Sequence, residues 1–112
     1  MLEIRELEKL RQLGLTEHTS GGAEAVRVTA QCRQVGKVLT REDLRSRLVD
    51  WQHELEQRLA IHGAELIEGS LSVSGQTVEA VVPILELSQV MAEMSEQDVR
   101  IDIVKPRQVV SR

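Results

Sequence analysis

The sequence predicts an α+β fold, and three features of its periodicity point to it. Residues 26–32 and 99–103 alternate apolar and polar side chains, as strands with one buried face do. Residues 40–62 carry leucines at helical spacing, and residues 87–94 repeat that pattern. Two more apolar segments flank a turn at 74–76. The order strand, helix, strand pair, helix, strand is that of the ferredoxin-like split βαβ unit (βαββαβ), an antiparallel sheet with two helices on one face, here preceded by an extra N-terminal helix.

The N-terminal segment predicts an amphipathic helix that is an appendage to this unit. Ile4, Leu7 and Leu10 recur at helical spacing, and Gly14 is a typical helix stop. Small and polar residues follow at 16–24, which predicts a flexible linker.

The first strand and the long helix have the clearest local signals. The strand turns four small or β-branched side chains to one face: Val26, Val28, Ala30 and Cys32. Thr40 is the expected N-cap of the helix, with Asp43 at the acidic position of a capping box. The apolar stripe of the helix consists of Leu44, Leu48, Trp51, Leu55 and Leu59. Gly63 is expected to end it.

The second half of the chain predicts a hairpin, a short helix and a last strand. The hairpin arms are residues 64–73 and 77–84, and Pro83 fits near the end of its strand because it lacks an N–H group. The core positions of the short helix are Leu87, Val90, Met91 and Met94. Those of the last strand are Val99, Ile101 and Ile103.

Length and composition bound the class of protein. The 112 residues suit one α+β domain at 25–112, with the helix and linker at 1–24 attached to it. The core must be aliphatic, because the chain has one Trp and no Phe or Tyr. One cysteine, no leader-like start and no apolar run of about 20 residues predict a cytoplasmic protein with no membrane segment.

Basic residues gather near the first and last strands. Residues 25–47 hold six basic and two acidic residues, whereas residues 48–98 hold ten acidic residues and one basic. In the predicted sheet the first and last strands are neighbours, which suggests an anion-binding surface. Its candidate residues are Arg27, Arg33, Lys37, Arg41 and Arg100. The alternative is an ordinary solvated face.

Nucleic acid is disfavoured as a partner. Plait-fold RNA binders stack bases on aromatic rings of the central strands. Those strands here offer side chains such as Arg27, Gln31, Thr77 and Glu79, with no ring among them. The chain is also acidic overall, with a pI near 5.4.

The spacing of histidines and cysteine predicts no metal site and no cofactor. His53 and His62 are nine positions apart on one helix and so face different sides, while His18 falls in the linker. Cys32 is expected in the core, where it is a small apolar residue. No pair of carboxylates stands out as a general acid and base.

The stretch 26–104 resembles the regulatory ACT domains that bind amino acids. The resemblance lies in Gly36 between the first strand and its helix, followed by the helix and the hairpin. It implies a ligand site at that glycine turn, at a subunit interface. The chain departs from the pattern in lacking an acidic residue before the glycine, where Gln34 and Val35 stand.

Three functional hypotheses follow. The first is a non-catalytic, self-associating adaptor or assembly subunit, expected to be a homodimer with a further protein partner. Its interface candidates are Ile4, Leu7 and Leu10 on the first helix and Val81 and Val104 on the free sheet face. The second is an ACT-like domain that senses a small ligand. The third is a small enzyme using interfacial carboxylates: Glu54, Glu65 and Glu68.

Overall fold

The computed structural model describes residues 4–33 and 40–104, and it shows an α+β protein with a five-stranded antiparallel sheet and three helices. In chain order the elements are α1 (Ile4–Gln12), β1 (Thr16–His18), β2 (Glu24–Cys32), α2 (Arg41–Ile61), β3 (Glu65–Leu66), β4 (Thr77–Pro83), α3 (Leu87–Ser95) and β5 (Val99–Ile103). A short 3-10 helix, Ile84–Glu86, joins β4 to α3.

Strand β2 lies at the centre of the sheet. β4 pairs along one side of it, and β3 pairs with the far side of β4. The other side of β2 is shared by two strands lying end to end, with β1 against residues 24–26 and β5 against residues 28–32. The order β5-β2-β4-β3, with every neighbour antiparallel, is compatible with the ferredoxin-like unit.

The core lies between one face of this sheet and the helices. The predicted strand alternation is confirmed, since the inward residues of β2 and β5 are buried. The central cluster contains residues from three strands and two helices: Val26, Val28, Ala30, Leu55, Leu59, Val78, Ala80, Val82, Val90, Met94, Val99 and Ile101. Met91, predicted as core, is instead partly exposed on α3.

Helix α1 lies on the same side of the sheet as α2 and α3. Leu10 packs against the core cluster, and Arg11 forms an ion pair with Glu24 at 2.6 Å. Glu24 is two residues from Val26 on β2, so both side chains point to the helical side. The opposite sheet face is therefore not covered by α1.

The structure differs from the sequence prediction at two strands. The predicted linker at 16–24 contains β1, which pairs with the start of β2. The first hairpin arm is a regular strand over Glu65–Leu66 alone, with an isolated bridge between Ser72 and Thr77. The Ser70 hydroxyl takes the place of a backbone partner there, because it accepts the Glu79 N–H at 2.9 Å.

Both predicted ends of α2 are confirmed. The Thr40 hydroxyl accepts the Asp43 N–H at 3.0 Å, which satisfies a backbone donor that the helix cannot pair. At the other end Gly63 adopts a left-handed φ of 72°, and the Ala64 N–H donates to Leu59 O. The predicted turn at Gly36 lies outside the described residues.

Replacing the cap tests this account of α2. Thr40→Ala should lower the free energy of unfolding by about 1 kcal/mol, because the Asp43 N–H loses its acceptor. Urea unfolding followed by far-UV circular dichroism measures it. Thr40→Ser keeps the hydroxyl and should stay near the wild type; an equal loss in both variants would contradict the capping role.

Candidate functional site

The end of α2 places a histidine between two carboxylates. His62 is the C-cap residue of α2, and its backbone N–H donates to Leu59 O at 3.0 Å. Its side chain is 12% exposed and contacts the 3-10 helix and α3. His62 Nδ1 lies 3.2 Å from Glu86 Oε1, and Nε2 lies 2.6 Å from Glu93 Oε2. Both ring nitrogens are thus engaged, which ties the end of α2 to the helical segment after β4.

This arrangement raises the pKa of His62. The hydrogen bond to Glu93 is the main cause, the bond to Glu86 adds to it, and burial of the ring opposes both. The imidazolium form donates one N–H to each carboxylate, whereas the neutral ring has one N–H to give. With both nitrogens in use, His62 acts as a structural link between elements; a general base needs a free nitrogen.

The loop between β1 and β2 folds toward β3 and is fixed by one carboxylate. The backbone N–H of Ser20 donates to Glu65 Oε1 at 2.7 Å, and the Ser20 hydroxyl donates to Glu65 Oε2. These bonds lower the pKa of Glu65, the hydroxyl bond most of all. Gly22 adopts a φ of 89°, which lets the loop turn back, and the Gly22 N–H donates to Thr19 O.

A shallow groove of about 610 Å³ lies between this loop and the end of α2. Its walls include the polar residues Ser20, His62, Glu65 and Glu86. The other lining residues include several small or apolar ones: Ala23, Ala60, Ala64, Pro83 and Leu85. Leu85 is 95% exposed, so the groove has an aliphatic rim open to solvent.

The free face of the sheet holds Arg27 in a network of carboxylates. Its guanidinium makes two bonds to Glu17 of β1, at 2.8 and 2.9 Å, and Nη1 lies 3.9 Å from Glu79 of β4. The bond to Glu17 raises the pKa of Arg27. Arg27 thus has its charge balanced within the chain.

The other predicted anion-binding residues fall into two separate places. Arg33 and Arg100 line one cavity of about 360 Å³, and Arg100 Nε also lies 2.9 Å from Asp102. Arg41 lines a second cavity of about 430 Å³, together with Arg45. Lys37 lies outside the described residues.

The predicted interface residues are spread over two surfaces. On α1, Ile4 is 77% exposed, while Leu7 and Leu10 are half-buried. On the free sheet face, Val81 stands opposite Arg27 in the register of β2 and β4. Val104 is half-buried there, and its N–H donates to Arg27 O at 2.9 Å.

The carboxylates of the enzyme hypothesis have different surroundings. Glu65 is bound to Ser20, while Glu54 on α2 and Glu68 after β3 are exposed. Within residues 4–33 and 40–104, no group of three or more His, Cys, Asp or Glu residues is placed to hold a metal ion. In the same ranges no helix is both long and apolar enough to cross a bilayer.

The comparisons with known proteins add no relative. No protein-family model matches the chain, and neither the curated proteins nor the solved structures give a significant match.

Sequence reasoning missed the His62 arrangement because its partners are 24 and 31 residues away. One signal was present in the sequence. Glu86 and Glu93 are seven positions apart in a helical region, which places them on one face two turns apart. The helix that carries His62 gave no indication that its end would meet that face.

The raised pKa of His62 makes stability depend on pH. Its contribution is fully present below the unfolded-state value of 6.5 and is lost as pH rises through the higher folded-state pKa. His62→Gln should therefore destabilise the protein by about 1–2 kcal/mol near pH 6 and by clearly less near pH 9. Chemical unfolding at both pH values measures this difference. His53→Gln, at an exposed position on α2, is the matched control, and an equal effect at the two positions would contradict the link.

Proposed function

We propose that the chain is a non-catalytic, self-associating α+β module of the ferredoxin-like type, which works as an adaptor or assembly subunit through protein contacts. The strand order β5-β2-β4-β3 supports the ferredoxin-like assignment. A cytoplasmic setting fits the single buried cysteine, Cys32, which makes no disulfide.

The observation that carries this proposal is the exposure of large aliphatic side chains on helical segments. Ile4, Ile61 and Leu85 are 77%, 80% and 95% exposed. The backbone of α1, of α2 and of the 3-10 helix fixes these positions. Burying one such side chain in a contact contributes about 1.5–3 kcal/mol, so each favours association.

The position of two of these side chains suggests where a partner binds. Ile61 ends α2, and Leu85 lies on the rim of the groove beside His62. The groove is lined by small and apolar residues together with the carboxylates of Glu65 and Glu86, which suits an aliphatic side chain followed by a basic one. An unidentified protein with such a segment is the partner that we propose for this end of the molecule.

The self-association is tested by measuring molar mass in solution. The full chain should give the mass of a dimer in light scattering at high concentration and dissociate on dilution. A strict monomer at the highest concentration that stays clear would contradict this part of the proposal.

A second function, binding of a small anion as in the ACT-like hypothesis, is favoured by the cavity at the start of α2. Arg41 and Arg45 line it together with Gly69 and Ser74. Two guanidinium groups one helical turn apart favour a carboxylate or phosphate.

Ligand binding at that cavity should raise the melting temperature of the full chain. A thermal-shift screen with inorganic phosphate and the free amino acids measures it, and Arg41→Ala should abolish the shift. Arg58→Ala, on the same helix but outside that cavity, is the matched control. No stabilisation by any of these anions, or loss of the shift in the control alone, would contradict the anion site.

A further inference from the structure

The outer edge of β5 carries backbone groups that no described element pairs. β5 pairs with β2 on one side, and within residues 4–33 and 40–104 no strand lies on the other. Two backbone hydrogen bonds mark the ends of the ladder with β2. At one end the Arg33 N–H donates to Asp98 O at 3.0 Å, and at the other the Val104 N–H donates to Arg27 O. β5 is thus paired with β2 along its whole inner side, whereas its outer side has no partner strand within the described ranges.

The alternation of an antiparallel ladder identifies the outward groups. Asp98 and Val104 bond to β2, so the residues of the same parity, Arg100 and Asp102, also turn their backbone groups inward. The remaining residues turn theirs outward: Val99, Ile101 and Ile103. The outer edge therefore presents three N–H and three C=O groups in a row, a template for another strand.

The opposite edge of the sheet is short, because β3 has two residues and the chain after it covers the rest of β4. The Ile67 N–H donates to Glu79 O at 2.9 Å, and the Glu79 N–H donates to the Ser70 hydroxyl. Residues of the loop after β3 thus hydrogen-bond to backbone groups of β4 that have no partner in β3. Among the strands at the sheet edges β5 has five residues, against three in β1 and two in β3, so it offers an added strand the longest row of backbone groups.

The side chains of β5 match a second copy of the same strand. Arg100 and Asp102 lie on the free sheet face and are 60% and 57% exposed. When two β5 strands pair antiparallel about Ile101, Arg100 of each copy stands opposite Asp102 of the other. Edge strands that avoid pairing carry charges that repel, commonly lysines, whereas this pattern attracts itself.

We propose that two copies of the chain pair through the outer edges of β5, antiparallel and centred on Ile101, to form one continuous ten-stranded sheet. The two-fold axis stands normal to the sheet, so the helices of both copies lie on the same side. Ile101 faces its own equivalent, and Val99 faces Ile103 of the second copy; these three pairs exchange six backbone hydrogen bonds. This inference rests on the self-association proposed above and gives it a surface and a register.

A cavity beside the strand fits this arrangement. The cavity of about 360 Å³ lies between α3 and β5, with Met91, Ser95, Val99 and Ile101 among its lining residues. In the proposed register Ile103 of the second copy stands opposite Val99, at the mouth of this cavity. Its side chain would then cover Met91, which is 39% exposed.

Charge reversal on the free sheet face tests the register with the full chain. Arg100→Asp places two acidic residues on each strand, and Asp102→Arg places two basic residues, so each variant repels its own copy. Either substitution alone should raise the dissociation constant of the dimer at least about tenfold. Combining both in one chain restores opposite charges across the two-fold axis and should restore wild-type association. Mixing the two single variants should give a heterodimer for the same reason.

Analytical ultracentrifugation gives the dissociation constants, and circular dichroism confirms that each variant is folded. Asp50→Arg, a charge reversal at an exposed position of α2, is the matched surface control and should leave the dimer intact. A wild-type dimer whose dissociation constant is unchanged by both β5 charge reversals, or that dissociates with Asp50→Arg, would overturn the β5 interface and leave self-association standing. A wild-type chain that is monomeric throughout would overturn both.

Cross-linking supplies an independent measure of the register. In a Cys32→Ala background, Arg100→Cys and Asp102→Cys become opposite residues of a non-hydrogen-bonded pair, about 4.5 Å apart between Cα atoms. That distance lies within the range of a disulfide, so the mixture should oxidise to a covalent dimer at least about tenfold faster than either variant alone. Equal rates in the mixture and the separate variants would overturn the register.

Discussion

The nine residues of β2 hold the sheet together, because three other strands bond to them. β4 takes one side, while β1 and β5 share the other. Four alternate residues of β2 point into the core and are buried: Val26, Val28, Ala30 and Cys32. A change in this strand therefore affects three strand pairings and the helix contacts at once. The register of this strand therefore decides which side chains reach the helices and which reach the free face.

The features that are local in sequence could be predicted, and those that depend on distant partners could not. The alternation of β2, the Thr40 cap and the left-handed Gly63 each follow from a few neighbouring residues. β1 has three residues, which are too few to give a periodic signal. It forms because these residues pair with the start of β2, a contact that depends on context more than on local sequence. Residues 67–72 fall within the predicted hairpin arm at 64–73, but there the Ser70 hydroxyl accepts the Glu79 N–H in place of a backbone carbonyl.

The dependence on residues distant in sequence also explains why the basic residues have partners that their own segments did not indicate. Arg27 and Arg100 looked like an exposed basic cluster because their own segments are basic. In the fold each meets a carboxylate, and for Arg27 it comes from β1, the strand that the sequence did not predict. The charge of a segment thus differs from the charge of a surface, because strand pairing combines residues from segments of opposite sign.

The groove at the end of α2 has two walls with opposite responses to acid. The bond from Ser20 to Glu65 needs an ionised carboxylate, so its contribution is present above 4.5 and is lost as pH falls through the lowered pKa of Glu65. The link through His62 is strongest with a protonated ring, and this contribution is fully present below 6.5. Between these two values both contributions are present. As pH rises through the raised pKa of His62, the ring keeps one N–H for two carboxylates, so the contribution on the α2 side falls, whereas acid weakens the contribution on the loop side.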